Sequence, residues 1–119
     1  MNRMRPHLEH GATLFNAAHY WEAHEAWEGP WMDAKAQANA LEAHYLQGLI
    51  LLAAAIHKAR AYDNARGGWL NLEKAKKHLE RVPNDYGARD EIPSLSTLIL
   101  EISGALEDPK VFPQLKTAE

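Results

Sequence analysis

Residues 45–56 read YLQGLILLAAAI, twelve positions in which Gln47 is the one polar side chain. The leucines and alanines favour helix. Wound as a helix, the segment is apolar nearly all the way round, and such a helix requires neighbours on every side. Its longest apolar run, residues 49–56, is eight residues, far short of the roughly 20 needed to span a bilayer. It therefore reads as the central strut of a globular core. Gly48 costs about 1 kcal/mol against alanine inside a helix, which points to the close approach of another helix or of a tryptophan ring.

The rest of the chain supplies helices to cover that strut. Leu8, Ala12 and Phe15 follow i, i+4, i+7 and predict a first helix over about residues 5–17, ended by a turn around Asn16. A second helix begins near His19 with Tyr20, Ala23, His24, Trp27 and Trp31 in one broad arc. Gly29-Pro30 is expected to end or kink it at about residues 28–32, because proline disfavours helix in the preceding residue. The central helix spans about residues 36–62. A turn at 62–68 leads to a fourth helix over about 67–81, with Trp69, Leu72, Ala75 and Leu79 as its buried stripe. Ser94 is a good N-cap for a last helix, which carries Leu95, Leu98, Ile99, Ile102 and Leu106 and stops at Pro109. Val111, Phe112 and Leu115 are expected to tuck back onto the bundle.

No alternating strand pattern survives. The class is all-α: a compact up-and-down bundle of about five helices in a single domain, residues 1–119. The first two hairpins are loosely tetratricopeptide-like, with a small residue, tyrosine and alanine at helical spacing, but the 34-residue self-similarity of such repeats is missing. The chain has no cysteine, which excludes disulfides, thiolate metal sites and cysteine nucleophiles. The first ten residues lack the apolar run of a signal peptide, so a cytoplasmic protein without a membrane segment is expected.

Three of the four tryptophans and a string of acids and histidines fall within residues 15–31, FNAAHYWEAHEAWEGPW. Together with LQGLILLAAAIHKARAYDNARGG at 46–68, this stretch resembles the bacterial and archaeal family known as domain of unknown function 309. The resemblance rests on Phe15, Asn16, Tyr20, Glu22, Ala23, His24, Glu25, Glu28 and Trp31, the Leu-Gln-Gly-Leu-Ile run at 46–50, and the glycine-containing turn at 64–68. It covers about residues 8–80. Ala18 stands where the family often has glycine, and Leu51 where it has a polar residue, which shrinks any polar pocket beside the central helix. The resemblance implies a helical bundle and no agreed activity.

His24 and Glu28 are i, i+4 and could share a ligand. The string His24-Glu25-Ala26-Trp27-Glu28 resembles a zincin motif whose second histidine has become glutamate. A divalent metal held by His24, Glu28 and His57, with Glu25 as general base, would suit a metal-binding protein or a metal-dependent hydrolase. The di-iron alternative needs Glu-x-x-His, and no glutamate here has histidine three residues on. Against the metal reading, His24, Glu25, Glu28 and His57 form a structural polar cluster that fixes the helices and needs no cofactor. His7 and His10 point away from the face of Leu8 and Phe15 and are expected in solvent. No hydroxyl sits in a nucleophile elbow, and Gly67-Gly68 lacks the lysine of a phosphate-binding loop.

Trp21 lies off the buried arc, and with Trp31 it is a candidate for a protein interface. Residues 58–81 carry seven cations against three anions in a chain of net charge −3. Lys74, Lys77 and Arg81 line one helix side, which reads first as a solvated face and only weakly as a nucleic-acid contact. The leading expectation is a non-catalytic interaction module, either a homodimer or the binder of another protein. A metal-binding protein is the alternative, and nucleic-acid binding the weaker one.

Overall fold

Five helices form the protein in a computed structural model that describes residues 6–83 and 95–115. They are α1 (Pro6–Asn16), α2 (Tyr20–Ala36), α3 (Ala40–Ala61), α4 (Ala65–Leu79) and α5 (Leu95–Glu107). There is no strand among the described residues. α3 is the strut its composition requires. Tyr45, Leu46, Leu49, Leu52 and Ile56 are fully buried, with α2 along one side, α4 along another and α5 near its end. By length and composition α3 could cross a membrane, but 56% of that stretch is buried inside the fold.

Contacts between helix ends fix the topology. Phe15 meets Tyr20 edge-on at 5.1 Å, and the buried Trp27 indole donates to the Leu8 carbonyl at 3.1 Å, so α1 and α2 are antiparallel. Trp21 near the start of α2 touches His57 near the end of α3. His44 near the start of α3 meets His78 near the end of α4. α2, α3 and α4 thus alternate up and down. α5 continues the alternation, because Leu106 at its end approaches Gly68 at the start of α4. Close approaches occur where glycines allow them. A methyl group on Gly48 would fall 2.4 Å from Leu79 Cδ2, so its neighbour is a leucine of α4; the tryptophan ring lies instead over Gly11, where a methyl group would be 2.3 Å from Trp27 Nε1.

α2 departs from the sequence expectation by running through Pro30 to Ala36. An interior proline costs about 3 kcal/mol in a lost hydrogen bond and a clash. The residues beyond it offset that cost through packing, since Ala34 is buried and Trp31 lies against the core. Gly29, just before the proline, has open space around it. α3 starts at Ala40, later than expected, because Asn39 caps it with a side chain that accepts from the Glu42 amide. Asn64 does the same for α4, accepting from Gly67 N–H at 2.8 Å, so α4 begins two residues earlier than expected. The proposed Ser94 cap lies outside the described residues.

The first two turns are copies of one another. Ala18 has φ +67° and Ala38 has φ +57°. His19 and Asn39 donate back to Leu14 and Ala34 at 2.8 and 2.9 Å, while Ala18 and Ala38 donate to Phe15 and Lys35 at 2.9 and 3.1 Å. This is the Schellman arrangement, whose left-handed position normally belongs to glycine. The left-handed residue of the first turn is therefore Ala18 and not Asn16, which remains helical and carries out a different task. Its amide accepts from Leu115 N–H at 2.7 Å and donates to Leu115 O at 3.0 Å. Leu115 is buried as expected; Val111 is half-buried, and Phe112 stays exposed.

An L-residue in the left-handed region costs about 1–2 kcal/mol, partly returned as unfolded-state entropy when glycine replaces it. Ala18→Gly should stabilise the protein by about 0.5–1 kcal/mol, read as a higher denaturant midpoint with an unchanged slope.

Candidate functional site

The aromatic start of α2 faces the last turns of α3. Tyr20 points inward and is buried, and Trp21, one residue on, points outward and is 44% exposed. The Trp21 indole stacks on His24 at 4.6 Å with a 26° interplanar angle and lies 5.1 Å from the His57 ring. His57 in turn meets Tyr62 edge-on at 5.5 Å, and Tyr62 is 67% exposed. Four rings from two helices and a turn thus form a continuous ledge. The indole thus packs against two imidazoles, contacts that favour the orientation it has. Lys58 Nζ is 5.5 Å from the Tyr62 ring centre at one end. Glu28 marks the other end, its Oε2 3.8 Å from His24 Nε2. That separation is too long for a hydrogen bond.

The expected polar cluster is therefore only partly assembled. His24 and His57 come together around Trp21, Glu28 stands at the edge with its side chain 48% exposed, and Glu25 lies in solvent. Among the described residues no three His, Asp or Glu side chains gather where they could hold a metal ion. The expected set of His24, Glu28 and His57 is not so gathered, because the indole occupies the space against both imidazoles. Trp31 is half-buried against the core, with Lys35 Nζ 3.9 Å from its ring centre. His10 is exposed as expected, and the His7 side chain lies outside what the structure describes. Lys74 and Lys77 on α4 and Arg81 just beyond its end are exposed, interrupted by Glu73, which pairs with Lys76 at 3.3 Å, and by Glu80.

Behind the ledge stands Arg60, which sequence reasoning passed over. Its Nη2 donates to the carbonyls of Ala105 and Asp108, each at 3.3 Å, and to that of Val111. One guanidinium thereby caps the C-terminal end of α5, where helix carbonyls lack partners and the dipole favours a cation. Its carbon also lies 4.8 Å from the Phe112 ring centre and 5.8 Å from that of Tyr20. Arg60 Nε and Nη1, Tyr20 Oη and His24 Nδ1 are buried without hydrogen-bond partners among the described residues. In the sequence Arg60 looks like one more cation in the last turn of a helix; only the return of the C-terminal segment gives it a use. Glu42, 6% exposed, was missed as well, although a glutamate three residues after an asparagine cap was a visible signal.

Burial raises the pKa of Tyr20 above its ordinary value of 10.0, and the nearby Arg60 charge opposes that shift only in part. On the far side of α3, burial and then the neighbouring His44 and Arg81 hold His78 below the ordinary histidine value.

A family model described as Domain of unknown function (DUF309) matches residues 8–70. The chain belongs to this family. The match takes in α1, α2, α3 and the first turn of α4, and so the whole aromatic ledge. Among curated proteins no relative matches the chain.

Folding suppresses ionisation of Tyr20, so the stability it contributes is complete below pH 10 and is lost as pH rises through its folded pKa. Tyr20→Phe removes a buried hydroxyl that the Arg60 guanidinium approaches, a change expected to cost no more than about 1.5 kcal/mol at pH 7. Above pH 10 the wild type should lose stability more steeply than the variant, as urea melts across that range would show; parallel curves would contradict the assignment.

Proposed function

We propose that the protein is a non-catalytic, cytoplasmic binding module that associates through the Trp21–His24–His57–Tyr62 ledge, with a second copy of the chain as its partner. The observation that carries this reading is the exposure of a tryptophan whose orientation is already favoured by two imidazoles. An aromatic ring held rigid loses little further entropy on binding, and tryptophan and tyrosine dominate interface energetics. The ledge also suits a two-fold pairing. It has an acid, Glu28, at one end and a base, Lys58, at the other, so an isologous contact brings the acid of each copy to the base of the other.

Light scattering should show a dimer that dissociates on dilution. Trp21→Ala, at an exposed position, should leave unfolding stability within about 1 kcal/mol of wild type while weakening association about 30-fold, as expected for loss of roughly 2 kcal/mol at a central anchor. A strict monomer at every concentration would overturn self-association. A dimer unaffected by Trp21→Ala would place the contact elsewhere.

A further inference from the structure

α3 and α4 are joined at one point by two histidines whose ring nitrogens face each other. His44 Nδ1 and His78 Nδ1 are 3.0 Å apart, the ring centres are 5.3 Å apart, and the rings are inclined by 35°. Both side chains are half-buried, so one edge of the pair is open to solvent. Thirteen residues separate His44 from His57 on the same helix, about 20 Å at 1.5 Å per residue. The pair is thus remote from the aromatic ledge and independent of the function proposed for it.

Two neutral imidazoles can meet in this way only if one Nδ1 carries a proton and the other a lone pair. A cation with affinity for nitrogen can take the place of that proton. The spacing suits such an ion. With metal–nitrogen bonds of about 2.0–2.1 Å, two ligands lie about 2.9 Å apart at a right angle and about 3.3 Å apart at the tetrahedral angle. The observed 3.0 Å falls between these limits; the Nδ1 lone pairs now aim at one another, so each imidazole must also turn for both to converge on the ion. We propose that His44 and His78 form a two-nitrogen clip for a late first-row divalent ion, Cu²⁺, Ni²⁺ or Zn²⁺, that bridges α3 and α4.

On binding, the bridging proton leaves Nδ1 and the ring reprotonates at Nε2, so both rings present Nδ1 lone pairs and no net proton is released. Among the described residues no third His, Asp or Glu joins the two, and water fills the remaining positions. Arg81 stands close enough to act on His78 electrostatically, and as a cation it weakens the site. The ion acts as a cross-link between helices in the folded state and has no preformed counterpart in the unfolded chain, so its binding appears as stability.

The test uses untagged full-length protein stripped with chelator. Thermal melts with NiCl₂ at about 1 mM should rise by about 3 °C or more over the metal-free protein. His44→Gln and His78→Gln should each abolish the rise, and His24→Gln combined with His57→Gln should keep it. No rise in the wild type, or a rise that survives loss of His44 and His78, overturns the proposal. Should a glutamine variant fail to fold without metal, the wild type decides: substoichiometric Cu²⁺ should broaden the His44 and His78 imidazole resonances first, and prior broadening of any other histidine overturns the site.

Discussion

Everything in this fold answers to one constraint, the apolar circumference of α3. A helix with no polar face gains from burial wherever a neighbour can reach it, at about 25 cal/mol for each Å² of apolar surface covered. α2 and α4 flank it, and α5 closes over its C-terminal end. The other packing details are consequences. Gly48 lets Leu79 lie against α3, and Gly68 lets α4 approach the Ala55 carbonyl. α2 is long enough to cover its side of the strut only by continuing through Pro30, and it does so.

The cover is thinnest at the C-terminal end of α3, where the helix turns polar, and the chemistry of the molecule collects there. Arg60 receives the end of α5 and the following segment, while Asn16 receives Leu115. These two anchors close the bundle through backbone partners, with carbonyls as the counter-charge for the guanidinium. Outside them, where no other described helix covers the start of α2, Trp21 rests on His24 and His57. The ledge lies at the edge of the core because the core ends there.

How much of this was legible beforehand differs from residue to residue. Tyr20, Trp27, Leu72 and Leu79 could be placed in the core from helical spacing, since burial of one face is a local property of the sequence. Trp21 was marked as the outward ring by the same angular reasoning. The acids were harder to read. Glu25 and Glu28 beside His24 look alike in a sequence whether they converge on an ion or point into water, and the difference depends on the Trp21 indole, which comes to rest against both imidazoles. Asn16 and Arg60 bond to residues about 99 and 45–51 positions away, and no local pattern carries such information. His44 and His78 face one another for the same reason, from two helices whose register is set by glycine–leucine contact.

The sequence by itself determined the helical class, the central helix and its burial, the turns after α1 and α3 and the membership of the family, because each depends on short-range spacing or on composition. Tertiary structure alone decided that α2 passes through its proline, that alanines occupy the left-handed turn positions, and that Arg60 caps a helix far along the chain. It also decided which histidines meet: His24 and His57 across a tryptophan, and His44 and His78 directly. Those outcomes depend on which helix faces which and at what register, and register is fixed by the packing of the whole core.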